Sequence, residues 1–109
     1  MTHEAKFVLL HLYSVFLDRI EDGETKSSAS YFGCDQETHE KYFLGLDFQD
    51  YVDAVFELES KDLLTVGGGS NKFAEMILNR EGIAYSEDVT DKNYKNLLKI
   101  IKELKDFIF

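Results

Sequence analysis

The chain has 109 residues, which is enough for one domain core and too few for two ordinary domains. Hydrophobic residues make up 44% of it and include nine Phe and six Tyr, so global disorder is excluded because this apolar area can offset the ordering entropy. The formal net charge is −9, and residues 1–92 alone carry −11 from nineteen acidic and eight basic side chains, a balance that repels phosphate polyanions.

The first predicted element is a mostly buried helix from Thr2 to about Asp22. Thr2 can cap its start, and Asp22-Gly23 is a typical stop because glycine readily adopts the left-handed conformation. Its side chains fall on overlapping helical faces with few polar interruptions. The positions that define these faces are Phe7, Val8, Leu10, His11, Val15, Phe16 and Ile20.

Residues 23–45 give weaker signals and predict a loop with one embedded short helix over 35–44. The pattern strengthens at Leu46-Asp47, since Asp47 can accept hydrogen bonds from free amides at a helix start and Leu46 can pack on Tyr51. A second long helix is therefore predicted from Phe48 to about Lys61. Its apolar set is Phe48, Tyr51, Val52, Val55, Phe56 and Leu58.

A β-hairpin is predicted after this helix. Leu63–Val66 and Phe73–Leu78 have strand composition, and Gly67–Asn71 between them can turn without steric cost. Asn79 then caps a predicted short helix over residues 80–85, followed by a break at Ser86–Val89.

The last predicted helix opens at Thr90 and extends to about residue 108, with an apolar stripe on one side. The stripe residues are Tyr94, Leu97, Ile101, Leu104 and Ile108. They can fold back on the first helix as core or pair with a second copy across a two-fold axis. Because Phe107 and Phe109 also crowd the terminus, a homodimer is slightly favoured.

The order helix, short helix, helix, hairpin, helix predicts an α+β fold, specifically a winged helix-turn-helix with an added C-terminal helix, as a single domain over 1–109. The runs Gly45–Val55 with Leu63-Leu64, Ile77–Tyr85 and Tyr94–Ile108 resemble the YjcQ family of small winged-helix proteins from Gram-positive bacteria and their phages. This resemblance covers roughly the last sixty residues. It implies the fold and this kind of source, and it implies no particular mechanism.

The helix that would read DNA in a winged helix is acidic in this chain. The only basic residue of this helix is Lys61, and the only one of the hairpin is Lys72. The helix and its flanks carry carboxylates at positions 47, 50, 53, 57, 59 and 62. In a DNA groove, this surface would place its carboxylates against the negatively charged phosphates. It would also place hydrogen-bond acceptors of the protein against acceptors on the base edges. We therefore expect a protein-binding or dimerising regulatory module and take Asp50, Asp53 and Glu57 as candidate partner-binding residues.

Three alternatives remain open at this point. The fold itself is compatible with a DNA-binding transcriptional regulator. The evenly spaced carboxylates could instead imitate a phosphate strand, as in an acidic phage-type inhibitor that occupies a nucleic-acid-binding protein. The acidic residues could also form no more than a solvated face that keeps the protein soluble.

No pattern indicates catalysis, a cofactor or a metal. His3, His11, His39 and Cys34 lack the paired spacing of metal ligands. The run Gly67–Gly69 lies between strands and precedes no helix, so it does not predict a phosphate-binding loop. We expect a non-enzymatic protein.

The sequence also predicts a soluble cytoplasmic protein. The lone Cys34 has no partner for an intramolecular disulfide, and no leader-like pattern is present. The longest apolar stretch, residues 7–17, is shorter than the roughly 20 residues that cross a bilayer.

Overall fold

The computed structural model describes all residues, Met1–Phe109, and confirms an α+β architecture of six helices and one three-stranded sheet. The elements are α1 (His3–Glu21), α2 (Lys26–Ala29), β1 (Tyr31–Phe32), α3 (Asp35–Tyr42), α4 (Phe48–Ser60), β2 (Leu64–Gly67), β3 (Glu75–Leu78), α5 (Arg80–Thr90) and α6 (Tyr94–Ile108). None of these helices combines the length and apolar character that crossing a membrane demands.

The core is built around α1, which has α4 and α6 packed against it. Eight of its residues are buried: Ala5, Phe7, Val8, Leu9, Leu10, Leu12, Tyr13 and Phe16. A mostly buried helix is therefore confirmed, although the predicted face positions His11, Val15 and Ile20 are only half-buried. The Thr2 hydroxyl accepts a hydrogen bond from the Ala5 amide at 3.1 Å, so the predicted N-cap is confirmed. α1 therefore supplies the apolar surface on which the other long helices assemble.

The three strands form an antiparallel sheet in the order β1-β3-β2. The predicted hairpin is confirmed, with Leu64 opposite Leu78 and Gly67 opposite Glu75. At its tip Gly68 has φ of +143°, and a Cβ there would lie 2.7 Å from the Ala74 nitrogen, so this position of the turn requires glycine.

β1 and the one-turn helix α2 are elements that the sequence did not predict, since the signals in residues 23–45 predict one helix within a loop. Tyr31 pairs with Ile77 and Phe32 with Met76, and the Leu78 amide donates to the Ser30 carbonyl at 2.9 Å. A two-residue strand carries no readable alternation, and its pairing comes from β3, which is distant in sequence. The predicted short helix exists as α3.

The predicted break at Ser86–Val89 is wrong, as is the predicted start of the last helix at Thr90. α5 continues to Thr90, and it accommodates Ser86 and Thr90 because tertiary packing buries both residues and their hydroxyls are satisfied, donating to the carbonyls of Gly82 and Ser86 one turn earlier at 2.8 and 2.7 Å. The helix stops at Asp91 and Lys92, which both have left-handed backbone conformations. Asn93 then caps α6 through the Asn96 amide at 3.1 Å.

Truncation of the α1 and α4 core faces should be costly. Leu10 and Val55 are both fully buried, and we expect Leu10→Ala to cost about 3 to 4 kcal/mol and Val55→Ala about 2 kcal/mol in free energy of unfolding. Urea denaturation followed by circular dichroism measures both values. Losses near zero would contradict the packing described for α1 and α4.

Candidate functional site

α4 carries the candidate partner-binding residues, and its start is fixed by Asp47. The Asp47 carboxylate accepts hydrogen bonds from the amides of Gln49 and Asp50 at 3.1 and 3.3 Å, which confirms the predicted cap. One face of α4 is buried through Tyr51, Val52, Ala54, Val55 and Leu58. The opposite face is therefore held outward.

The turn between α3 and α4 is locked by aromatic packing and two polar contacts. The Tyr51 ring stacks on Phe43 with centroids 4.8 Å apart, and its hydroxyl hydrogen-bonds the buried Thr38 hydroxyl. Burial raises the pKa of Tyr51, with a smaller opposing effect from that hydrogen bond. His39 Nε2 donates to the Leu46 carbonyl at 2.7 Å. α3 and α4 thus form one unit that presents the outer face of α4.

The three candidate acids on α4 have different surroundings. Asp50 is exposed, and Asp53 is exposed while accepting a 2.9 Å hydrogen bond from the Gln49 side chain. Glu57 instead accepts from the Thr2 amide and hydroxyl at 2.9 and 2.8 Å. Glu57 therefore ties the start of α1 to α4, while Asp50 and Asp53 are the acids directed to solvent.

The bonds from Thr2 also affect the ionisation of Glu57. Desolvation raises its pKa, but the two hydrogen bonds from Thr2 and nearby positive charge outweigh this effect, and the pKa is lowered. Glu57 is consequently a carboxylate at neutral pH.

Sequence reasoning missed a fourth acid at this surface. Glu4, in the first turn of α1, joins the α4 acids around a shallow depression of about 130 Å³. Its lining is Thr2, Glu4, Asp50, Asp53, Ala54 and Glu57, which we call the α4 acidic surface. Only the packing of α1 against α4 brings these residues together, and local sequence carries no signal of that pairing.

The predicted stripe on α6 is largely used within the monomer. Leu97 and Leu104 are buried, and Ile101 and Ile108 pack partly buried against the same core. Tyr94 alone is exposed, with its hydroxyl 3.4 Å from Asp18. The structure therefore supports a role for the stripe in the core of the monomer. Leu97 and Leu104 are buried there and cannot also contact a second copy of the chain.

The aromatic end of the chain lies against α1 and the α3–α4 turn. Phe109 meets the Phe7 ring edge-to-face at 5.9 Å and covers Gly45, while Phe107 packs on His3 at 4.1 Å. Both side chains remain more than half exposed, at 57% for Phe109 and 71% for Phe107. Packing within the monomer therefore covers only part of the apolar surface that Phe107 and Phe109 present at the end of the chain.

The histidines and the cysteine are dispersed. No group of three or more His, Cys, Asp or Glu side chains is arranged to hold a metal ion. His11 is half-buried beside the rings of Phe7, Tyr42 and Phe43. Cys34 is half-buried at the start of α3, where its side chain makes no capping bond.

His11 should make the stability of the protein sensitive to mild acid. Burial, and secondarily the charge of Lys105, lowers its pKa below the ordinary value of 6.5. Below pH 6.5 the unfolded chain binds this proton before the folded one does, so stability should fall from about pH 7 to about pH 5. Urea midpoints across this range measure the loss.

The control is His11→Gln, which cannot titrate and should flatten the pH dependence in this window. Loss of stability below about pH 4.5 should persist in both proteins, because Glu57, whose pKa is lowered in the folded state, is unaffected by the His11 substitution. A wild-type loss between pH 7 and 5 that His11→Gln leaves intact would contradict the assignment.

Comparisons with known proteins do not assign this surface. No family model matches the chain, and no match was found among curated proteins or solved structures. Function must therefore be inferred from the fold, charges and surfaces of the chain itself.

Proposed function

We propose that this chain is a non-enzymatic winged-helix module that binds a basic protein surface through the α4 acidic surface. The order α1, β1, α3, α4, β2, β3 and the antiparallel arrangement β1-β3-β2 support the winged-helix topology. In that topology α4 is the recognition helix and the β2–β3 hairpin is the wing. The resemblance of the C-terminal sixty residues to the YjcQ family agrees with this interpretation.

The observation that carries the proposal is the sign of the charge on α4. Asp50 and Asp53 are held outward at its exposed face, and Glu4 and Glu57 lie beside them in the same depression. Duplex DNA approaching this face would meet carboxylates where phosphates need cations. A partner rich in Lys or Arg meets the complementary charge, which speeds association and selects against acidic partners.

DNA binding should consequently be absent under physiological conditions. At about 150 mM salt we expect no binding of a random duplex at protein concentrations below roughly 10 µM, weaker than typical non-specific binders. Fluorescence polarisation of a labelled duplex of about 20 base pairs measures this directly. Salt-sensitive binding at low protein concentration would favour a DNA-binding regulator instead.

Two charge-reversed variants test whether α4 occupies the DNA-facing position. D50K/D53K and E81K/D88K each raise the net charge from −9 to −5, and each reverses one acid in the first turn of a helix. If α4 is a recognition helix, D50K/D53K should gain more DNA affinity than E81K/D88K, whose changes lie on α5. Equal gains would indicate that only net charge matters and would remove this support for the winged helix.

A further inference from the structure

A second surface, separate from the α4 acidic surface, has the form of a ligand-binding groove. It lies between α2, the end of β3 and α5, and its volume is about 570 Å³. That volume is within the range of small-molecule sites. None of its lining residues belongs to the α4 acidic surface.

The floor of the groove is apolar. Phe16 and Leu78 are buried at its base, and Ile77 and Ile83 are half-buried along it. Ala84 is exposed and leaves space that a larger side chain would occupy. An apolar chain or ring placed here would cover the exposed parts of Ile77, Ile83 and Ala84 and remove them from water, which is favourable.

Two cationic side chains, from two different helices, line the groove. Lys26 lies on α2 and Arg80 begins α5, and both are exposed. Glu87 is the one acid among the lining residues, so the groove has a net positive lining in a chain of net charge −9. Ser27 and Ser30 add hydroxyl groups beside Lys26.

From this juxtaposition we infer that the groove binds a small amphipathic anion, an apolar chain or ring that ends in one carboxylate or similar group. The apolar part lies on Phe16, Ile77 and Ile83, and the anionic group lies between Lys26 and Arg80. The inference does not depend on the proposed function of α4, and its test requires no protein partner.

The experiment compares decanoate with decylamine, which have equal chain lengths and opposite charges. Amide shifts in ¹⁵N-labelled protein report where each compound binds and how tightly. The net charge of the protein attracts the cation, so a preference for the anion must come from the local charge of Lys26 and Arg80. We expect decanoate to bind at least tenfold more tightly, with the shifts confined to α2, β3 and α5.

Matched variants identify the groove. K26E/R80E should weaken decanoate binding at least tenfold, whereas K95E/K99E, with the same change in net charge on exposed positions of α6, should change it less than twofold. Ala84→Phe should fill the groove and abolish binding, with an unchanged melting curve as evidence of folding. Three results would each overturn the inference: equal affinity for both compounds, amide shifts outside the groove, or an equal loss of decanoate affinity in K26E/R80E and K95E/K99E.

Discussion

Leu97→Asp is expected to unfold the protein. Leu97 is 1% exposed on the face of α6 that packs against α1, so the variant loses the burial of a leucine and places a carboxylate in an apolar site. The first loss costs about 3 to 5 kcal/mol, and the buried charge adds several kcal/mol more. The total is comparable with the whole stability of a domain of this size. Far-UV circular dichroism and a melting curve measure the result.

The matched control is Lys99→Glu, two residues further along α6 and exposed. This change should alter the free energy of unfolding by less than about 0.5 kcal/mol.

Ending the chain at Thr90 should also abolish the cooperative unfolding transition, because it uncovers the face of α1 that α6 packs against. A truncated protein that melts as the full chain does would show that α6 is an appendage.

Gly82→Ala is the second substitution with a large expected effect. We expect it to destabilise the protein, whereas helix propensity alone would predict stabilisation. Gly82 lies inside α5, where Ala is intrinsically favoured by about 1 kcal/mol. A Cβ at this position would collide with the Leu63 carbonyl oxygen and lie 2.9 Å from Leu78 Cδ1. Because the carbonyl belongs to the backbone that joins α4 to β2, the helix must move away, and we expect a loss of about 3 kcal/mol or more.

Gly69→Ala is the control for this prediction, since a Cβ at Gly69 meets nothing within 4 Å. Its free energy of unfolding should stay within about 0.5 kcal/mol of the wild type in urea denaturation. Stabilisation by Gly82→Ala would mean that α5 does not approach Leu63 as closely as the structure indicates. The close approach of the Leu63 carbonyl oxygen is thus a physical reason for glycine at position 82.

The features that were predictable from sequence depend on neighbouring residues. Thr2, Asp47 and Asn79 all cap helices as predicted, because each cap bonds an amide two or three residues away. The apolar periodicity of α1 and α4 likewise identified buried faces. These local patterns were enough to establish the α+β class.

The features that were missed depend on distant contacts. β1 exists only through pairing with β3, and α5 continues past Ser86 because tertiary packing buries that residue. Glu4 joins the α4 acidic surface, and Glu57 is engaged by Thr2, only because α1 packs on α4. Spacing along the chain could identify the acids of α4 but could not indicate which of them remain free.

Affinity capture with paired variants tests the central claim, that α4 binds a basic protein, most directly. Wild type, D50K/D53K and E81K/D88K are immobilised at equal density and exposed to lysate of the native host cells at about 150 mM salt, with nucleic acid removed. The proposal predicts a basic protein retained by wild type and E81K/D88K and lost from D50K/D53K. Retention by all three, or equal loss from both variants, would contradict a binding role for the α4 acidic surface.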